Sequence, residues 1–230
     1  MERKKFLVIS AGGSGTRMGA DIPKQFLSLS GKSVLQRTIE RFLAAEPSIR
    51  VVTVLPQAHI QYWKDYCQAR NFNVPQIIVQ GGFTRFHSVQ NALAKVPDGA
   101  IVAVHDGVRP FVSPELIKEM FSRMSSLRAL IPVTPVTDTL KVLSKSPDGT
   151  LTETCETVDR SRIYGAQTPQ MFLSEELRAA YTQAYDTSFT DDASVASAYG
   201  IPVSFIEGSR YNIKITTPED LRLAEALLTV

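Results

Sequence analysis

Short apolar runs alternate with segments of helical periodicity along most of this chain. That alternation is the pattern of strands and crossover helices, which build a mostly parallel sheet with helices on both faces. Several runs, such as 101–104, are apolar at every position, as strands buried on both faces of a parallel sheet are. The predicted strands are 5–10, 50–55, 76–80, 100–105, 128–133, 202–206 and 211–215. We therefore predict an α/β fold, and such sheets bind ligands at the carboxyl ends of their strands.

Helical spacing and capping residues place helices between these strands. Apolar side chains recur at helical spacing in 33–45, and the segments 57–70 and 86–96 follow the next two strands. Ser113-Pro114-Glu115 combines an N-cap residue, a proline at the first helical position and an acidic first turn. Residues 217–220 repeat that signal, with an acidic residue placed for a capping box before a C-terminal helix.

Residues 136–160 depart from this alternation. Asp148-Gly149 separates two extended segments rich in threonine and charged residues, and Asp-Gly between extended segments indicates a β-hairpin. A two-stranded hairpin is only marginally stable by itself, so we expect this arm to leave the sheet and pack on a second subunit. The alternative is an edge hairpin that rests on its own domain. We accordingly predict a single domain over 1–230 that carries a protruding β-arm.

A glycine-rich loop follows the first predicted strand. Residues 11–19 read Ala-Gly-Gly-Ser-Gly-Thr-Arg-Met-Gly, and Pro23-Lys24-Gln25 comes shortly after. Glycines let a backbone approach a ligand closely, and successive backbone N–H groups form an anion-binding concavity. The cations Arg17 and Lys24 beside such a loop suit a polyphosphate. The alternative is a tight turn between strand and helix in which both cations are solvated.

The loop matches neither of two common nucleotide-binding fingerprints. A dinucleotide fingerprint that starts at Gly13 and Gly15 requires a third glycine where Met18 stands, which disfavours an NAD-dependent dehydrogenase. A P-loop that ends in Gly31-Lys32-Ser33 requires an earlier glycine where Phe26 stands. A polyphosphate site in this loop would therefore be of another kind.

Further polar residues follow the later strands. Asp106 comes directly after an apolar strand, where a carboxylate can hold a divalent metal, accept hydrogen bonds from sugar hydroxyls, or pair with Arg109 in a solvated turn. Ser88 stands near a helix start, where capping is the simpler interpretation. Arg160, at the base of the arm, suits bidentate phosphate binding or is a surface arginine. Lys214 is out of pattern in an apolar strand, and an edge position would explain it without function.

Composition excludes several classes of protein. The formal net charge is +2, too small to indicate a nucleic-acid groove or a membrane surface as partner. No run of about 18 apolar residues is present, so no membrane span is expected. The two cysteines lack the spacing of a zinc site or a disulfide framework, and we expect a reducing, cytoplasmic compartment.

Together these motifs resemble the bacterial cytidylyltransferases that act on sugar-alcohol phosphates, over essentially the whole chain. Besides the glycine-rich loop and Pro23-Lys24-Gln25, the motifs are Gly82 with Arg85 and Ser88, His105-Asp106 with Arg109-Pro110, 135–139, 158–160, 167–170, 190–194 and 212–214. The resemblance implies a Rossmann-like sheet, small-molecule substrates and a homodimer whose arms reach into each other's sites. It also implies transfer of CMP from CTP to the acceptor with Mg²⁺, and release of pyrophosphate.

Two alternatives to this reaction remain open. Residues 157–160 and 207–214 favour methylerythritol phosphate as the acceptor, with ribitol 5-phosphate as the alternative. An alternative of another class is a non-catalytic nucleotide sensor on the same fold. Such a sensor needs a grip on the triphosphate, but it does not need Arg160 and Lys214.

Roles for single residues also come from the resemblance. The residues that contact the triphosphate and stabilise the transition state would be Arg17 and Lys24. The residues that hold the acceptor phosphate would be Arg160 and Lys214. The residues around the nucleoside would be Ala11, Gly12, Gly13, Gly82 and Ser88. The residues that line the sugar-alcohol pocket would be Asp106, Arg109, Thr139 and Thr168. One departure is Phe83, which stands where the family often has an acidic residue after Gly82.

Overall fold

The computed structural model describes residues 3–13, 22–154 and 158–229, so the prediction for Arg17 falls outside the described residues. Its strands are β1 (Lys4–Ser10), β2 (Ser28–Leu29), β3 (Lys32–Ser33), β4 (Arg50–Leu55), β5 (Gln76–Gln80), β6 (Ala100–Asp106), β7 (Ala129–Pro135), β8 (Leu143–Lys145), β9 (Leu151–Glu153), β10 (Tyr164–Ala166), β11 (Gln170–Leu173) and β12 (Ser204–Glu207). Its α-helices are α1 (Val34–Ala45), α2 (Ile60–Ala69), α3 (Arg85–Leu93), α4 (Pro114–Arg123), α5 (Ser174–Ala180), α6 (Asp192–Ala198) and α7 (Pro218–Leu227).

The main sheet has eight strands in the order β5-β4-β1-β6-β11-β7, with β10 and β12 both paired to β7. Strands β5, β4, β1 and β6 run parallel, and β11 runs antiparallel between β6 and β7. Strand β12 runs parallel to β7, whereas β10 runs antiparallel to it. The predicted α/β class with a mostly parallel sheet is confirmed, and the carboxyl ends of β1, β4, β5 and β6 lie along one edge.

Both faces of the sheet are apolar and covered by helices. Along β1, Leu7 and Ile9 belong to one apolar cluster, and Phe6 and Val8 belong to the other. The first cluster includes side chains of α1, α2 and α4, and the second includes side chains of α3, α5 and α6. Because successive side chains of a strand point to opposite faces, β1 is apolar at all four of its central positions, 6–9.

The capping signals predicted for α4 and α7 are confirmed. The Ser113 hydroxyl accepts a hydrogen bond from the Leu116 amide at 3.1 Å. Thr217 and Asp220 form a capping box, with Pro218 in the first turn. None of the helices in the described part of the chain has the length and apolarity needed to cross a bilayer.

The predicted hairpin is present in the arm. Strands β8 and β9 pair with each other and with no other strand of the described ranges. Every residue of both strands is exposed, including Leu143 and Leu151. The ladder is shorter than the two extended segments of the sequence. The role of the arm in dimerisation stays a prediction.

The C-terminal third differs from the prediction in two ways. The predicted strand 211–215 is wrong, because this segment joins no sheet and its Ile215 amide donates instead to the Val108 carbonyl at 2.9 Å. Ile215 packs in a small apolar cluster with Val108 and Ala224, so its apolar pattern reports burial rather than strand pairing. Strands β10 and β11 and helices α5 and α6 are short, and the sequence pattern did not predict them.

Candidate active site

A pocket of about 560 Å³ opens at the carboxyl ends of β1, β5 and β6. Crevices at this edge are where open α/β sheets bind their ligands. The predicted site residues that line it are Ala11, Gly12, Gly13, Lys24, Gly82, Ser88, Asp106 and Lys214. The topology of the sheet thus brings residues from both ends of the chain into one pocket.

Backbone forms the floor of the pocket, and a side chain at Gly12 or Gly82 would crowd the neighbouring residues. A Cβ added to Gly12 would lie 3.3 Å from the Ser88 Oγ, and one added to Gly82 would lie 2.5 Å from the Cβ of His87. The Ser88 hydroxyl accepts a hydrogen bond from the Gly82 amide at 3.0 Å. Thr84, and not Ser88, caps α3, so the capping interpretation of Ser88 is wrong. Ser88 instead joins the backbone of Gly82 to helix α3.

Lys24 lies on a short 3-10 turn, Lys24–Phe26, at the side of the pocket. The next residue, Gln25, is buried, and its amide nitrogen donates to the carbonyl oxygens of Ala11 at 2.8 Å and Gly13 at 3.2 Å. These bonds join the turn to the start of the glycine-rich loop. Gln25 is therefore a positioning residue for Lys24, and nothing in its residue type or spacing marked it as one.

Asp106 ends β6, and three cations face its carboxylate. Lys214 Nζ lies 3.0 Å from Oδ2, Arg109 Nε lies 3.3 Å from Oδ2, and Arg85 Nε lies 3.9 Å from Oδ1. Burial by itself raises the pKa of Asp106, but Arg85, Lys214 and Arg109 outweigh burial and hold that pKa well below its usual range. The carboxylate is thus ionised at neutral pH and fixed in orientation.

Behind Asp106, two buried side chains fix the backbone of the strand end. The Thr168 hydroxyl accepts from the Asp106 amide at 3.1 Å and lies 3.0 Å from His105 Nδ1. His105 Nε2 lies 3.1 Å from the Arg109 carbonyl, which can only accept, so Nε2 carries the proton and Nδ1 accepts from Thr168. Thr168 is buried and does not line the pocket. Its contacts fit a residue that supports Asp106 from behind.

We expect acid to destabilise the protein through His105. Burial lowers the pKa of this imidazole from 6.5 to about 4, so below pH 6.5 the unfolded chain takes up a proton that the folded chain does not. The free energy of unfolding should fall by about 2 kcal/mol between pH 7 and pH 5 from this group alone. Urea denaturation at pH 7, 6 and 5 measures the loss. In His105→Gln, which has no imidazole to titrate at this position, the slope should flatten, and an unchanged slope would contradict the assignment.

Lys214 reaches Asp106 because the segment before α7 is anchored at Asn212. The buried Asn212 donates from Nδ2 to the Thr168 carbonyl at 2.8 Å, and its own carbonyl accepts from Arg109 Nη1 at 2.7 Å. Lys214 is not on an edge strand, so the interpretation that needed no function is wrong for this residue. Arg109 lies beside Asp106 without lining the pocket. The pair of Asp106 and Arg109 is present, but it is largely buried rather than solvated, and Asp106 also contacts other cations.

Arg85 is a pocket residue to which the sequence assigned no role. It begins α3, lines the pocket and contacts two carboxylates, those of Asp106 and Asp192. Its place three residues after Gly82 was visible in the sequence. Its partner Asp192 is distant in the chain, and only the fold joins the two.

The two predicted site residues on the arm lie outside this pocket. Thr139 and Arg160 are exposed, and Arg160 Nη1 donates to the Thr137 carbonyl at 2.7 Å. This bond holds Arg160 at the base of the arm. Within one described chain, neither residue contributes to the pocket, so a role for them there requires a second subunit.

The described residues do not form a protein-built metal site. They contain no cluster of three histidine, cysteine or acidic side chains that would hold a metal ion. Asp106 is the carboxylate that lines the pocket, and its Oδ2 already contacts both Lys214 and Arg109. A divalent cation at this site would therefore depend on oxygen ligands that a phosphorylated substrate brings.

Comparison with known proteins identifies the relatives of this chain. The sequence model of the IspD family, described as 2-C-methyl-D-erythritol 4-phosphate cytidylyltransferase, matches residues 6–230. The chain is 49% identical over 230 residues to the enzyme of that name from Porphyromonas gingivalis, with all of both chains covered. It is 47% identical over 224 residues to the one from Phocaeicola vulgatus, covering 97% of this chain and 99% of that protein.

A solved structure agrees with these relatives. The crystal structure of 4-diphosphocytidyl-2C-methyl-D-erythritol synthase from Anaerococcus prevotii superposes with a TM-score of 0.81 at 26% identity, and the match covers 100% of both chains. The similarity therefore extends over the whole length of the fold, including the strands that form the pocket.

Proposed function

This chain belongs to the IspD family of 2-C-methyl-D-erythritol 4-phosphate cytidylyltransferases, and from that premise we infer which of its side chains carry the reaction. It is a cytidylyltransferase of isoprenoid precursor synthesis. It transfers CMP from CTP to 2-C-methyl-D-erythritol 4-phosphate and releases pyrophosphate. The observation that carries the assignment of residues is the pocket that Lys24, Arg85, Lys214 and Asp106 line together, with Arg85 and Lys214 facing the Asp106 carboxylate.

The reaction asks the protein to bring two anions together. An oxygen of the acceptor phosphate forms a bond to the α-phosphorus of CTP, and the bond from that phosphorus to the bridging oxygen breaks as pyrophosphate leaves. No covalent enzyme intermediate is required, so catalysis consists of positioning and charge stabilisation. We assign to Lys24, with Arg17, the contacts to the triphosphate and to the charge that develops at the α-phosphorus.

The backbone floor suits the nucleoside half of CTP. Because Gly12 and Gly82 cannot carry a Cβ without crowding Ser88 and His87, a flat base can approach the main chain here. A tight backbone pocket admits a pyrimidine and rejects a purine on size. Phe83, fully exposed at the pocket wall, removes the ribose contact that an acidic residue would make at this position.

The acceptor half is assigned to the Asp106 cluster and the arm. Asp106 accepts hydrogen bonds from the hydroxyls of the sugar alcohol, while Lys214 and a partner's Arg160 bind its phosphate. Arg109 and Thr168, which contact Asp106 from behind, orient that carboxylate. Thr139 contributes from the arm. A sensor of CTP alone would not need a lysine at 214 paired to Asp106, the carboxylate assigned to the acceptor.

Mg²⁺ is proposed to enter with CTP. The described residues offer no ready ligand set for the ion, whereas triphosphate oxygens are ligands that Mg²⁺ prefers, with water completing its shell. When bound, the cation would neutralise part of the triphosphate charge. The side chains of this chain would then orient the complex rather than build a cage for the metal.

A homodimer is proposed because the arm is exposed along its whole hairpin. Strands β8 and β9 have no apolar face buried in their own chain, and Leu143 and Leu151 are exposed. A groove of about 740 Å³ lies at the base of the arm, where the exposed aromatic rings of Tyr164 and Phe205 lie among its walls. A second copy that covers this groove would bury apolar area and place each arm beside the other subunit's pocket. A cytoplasmic location is proposed from the two cysteines without a pairing pattern.

The proposed function is tested by measuring pyrophosphate release from CTP with two acceptors in parallel. We expect turnover with 2-C-methyl-D-erythritol 4-phosphate and kcat/KM at least 100-fold lower with ribitol 5-phosphate, because the acceptor pocket is built to pair specific hydroxyls. Chelation of divalent cations should stop turnover, and added MgCl₂ should restore it. Preference for ribitol 5-phosphate would reassign the acceptor, and CTP binding without turnover on either acceptor would support a sensor instead.

A further inference from the structure

Helix α6 begins with two aspartates that have different tasks. Asp191 is the N-cap, and its carboxylate accepts from the Ser194 amide at 2.8 Å in a capping box. Asp192 takes no part in that cap. Its side chain is fully buried, points away from solvent and contacts Arg85 and Tyr181. Burying a carboxylate destabilises the fold unless a cation or hydrogen-bond donors pair with it. The partners of Asp192 therefore indicate its role.

The contact between Asp192 and Arg85 is bidentate. Arg85 Nη1 donates to Oδ1 at 3.0 Å, and Arg85 Nη2 donates to Oδ2 at 2.5 Å. The Tyr181 hydroxyl donates to the same Oδ1 at 2.5 Å. Burial and the Asp192 carboxylate raise the pKa of Tyr181 well above its usual value, so its hydroxyl keeps the proton that it donates. Asp192 and Tyr181 together are called the clamp below.

Within the clamp, Asp192 binds the two terminal nitrogens of the guanidinium, Nη1 and Nη2, and Nε is left facing Asp106. Arg85 Nε lies 3.9 Å from Asp106 Oδ1, too far for a hydrogen bond but close enough for attraction. Arg85 therefore interacts with two carboxylates, and its contact with Asp192 is much closer than its contact with Asp106. Among the described residues, Asp106 is the other carboxylate paired with the guanidinium, so without the clamp Arg85 would turn toward it.

We propose that Asp192 is a positioning residue for the acceptor site, which it serves by holding Arg85 off Asp106. This inference rests on the proposed function, since it takes Asp106 Oδ1 as the oxygen that accepts a hydroxyl of the sugar alcohol. Lys214 and Arg109 both approach Oδ2, so Oδ1 is the oxygen left for the substrate. The clamp also neutralises one of the three cations around Asp106. This leaves Lys214 and Arg109 beside that carboxylate, and of these two Lys214 is the one that lines the pocket.

The decisive variant is Asp192→Asn, which keeps the shape of the side chain and removes its charge. We expect the KM for 2-C-methyl-D-erythritol 4-phosphate to rise roughly 10- to 100-fold, while the KM for CTP changes less than about threefold. Tyr181→Phe, which keeps the stacking of this ring on Phe86, should give a smaller change in the same direction. Asp191→Asn is the matched control, because it weakens the cap of the same helix without touching Arg85.

A double-mutant cycle separates positioning from a general loss of structure. In an Arg85→Gln background, Asp192→Asn should add less than about twofold to the acceptor KM, because the group that it positions is already gone. Additive effects, or equal changes in both KM values, would overturn the proposal. A rise in acceptor KM for Asp191→Asn equal to that for Asp192→Asn would do so as well.

A spectroscopic measurement keeps the test independent of turnover. The Arg85 side-chain N–H resonances should exchange slowly with water in the wild type and rapidly in Asp192→Asn, whether or not the acceptor is identified correctly. Slow exchange in both would overturn the clamp. Absence of wild-type turnover on methylerythritol phosphate with the expected exchange pattern would instead overturn the proposed acceptor and, with it, the role of Asp106 Oδ1.

Discussion

Replacing Lys24 with alanine is expected to lower kcat/KM about 100- to 1000-fold while the fold stays intact. Lys24 lies at the side of the pocket that the glycine-rich loop forms, where the triphosphate of CTP is proposed to bind. Negative charge on the α-phosphorus and its oxygens redistributes in the transition state, and a cation held beside it acts without reorganisation. The loss should therefore appear in kcat as well as in KM for CTP.

The stability of the Lys24 variant can be separated from its activity. The 3-10 turn is held by its neighbours, since Gln25 bonds to the carbonyls of Ala11 and Gly13 and Phe26 is buried in the core. Lys32→Ala is the matched control, because that ammonium is half-exposed and pairs with Glu40 at 2.8 Å, outside the pocket. Steady-state kinetics and thermal melts of the two variants give the comparison. Near wild-type turnover of Lys24→Ala would remove Lys24 from the triphosphate site.

The second large effect is expected from Arg160→Ala, and it should fall on the acceptor. A bidentate arginine contact to a phosphate is among the stronger polar contacts, so the KM for 2-C-methyl-D-erythritol 4-phosphate should rise roughly 100-fold. The KM for CTP should change little. Arg162→Ala is a neighbouring control, since Arg162 is also exposed on the same turn and lines the groove at the base of the arm rather than the pocket. A collapse of CTP binding with an unmoved acceptor KM would contradict the assignment.

Mixing the Lys24→Ala and Arg160→Ala variants tests whether the site is shared between subunits, with the acceptor kept well below its KM so that each variant alone turns over slowly. If the arm of one chain supplies Arg160 to the pocket of the other, a heterodimer of Lys24→Ala and Arg160→Ala contains one site with both residues intact. Half of the dimers are heterodimers after random exchange, so the mixture should regain about a quarter of the wild-type activity. If Arg160 serves its own chain, no site in the heterodimer is intact and activity does not return. A monomer in sedimentation equilibrium would exclude the shared site directly.

Much of the fold was predictable because burial leaves a periodic signal. Strands β1 and β6 contain uninterrupted apolar runs, 6–9 and 100–104, and such runs are typical of central strands of a parallel sheet. The start of α4 was visible in Ser113 and Pro114, since a cap is a local interaction. Strands β10 and β11 were missed because they are short and their partner β7 is distant in the chain.

In the candidate site, too, some residues could be predicted from the sequence and others could not. Gly12, Gly13 and Lys24 stand close together in the sequence, so a ligand-binding loop could be predicted from them. Lys214 was placed on a strand that does not exist, although the residue itself was selected correctly as out of pattern. Lys214 is explained by Asp106, whose carboxylate lies 3.0 Å from the lysine Nζ. The two residues are over a hundred positions apart in the chain.

The sequence by itself determined the class of sheet, and it predicted the edge for ligand binding and the glycine-rich loop proposed to contact a polyphosphate. These follow from local sterics and from the period of apolar side chains, which a linear pattern contains. Only the tertiary structure decided that Arg85 lies between Asp106 and Asp192, and that Gln25, Thr168 and Asn212 hold the reacting groups in place. Electrostatic and hydrogen-bond partners depend on distance in space, and no period in the sequence records which buried groups will meet.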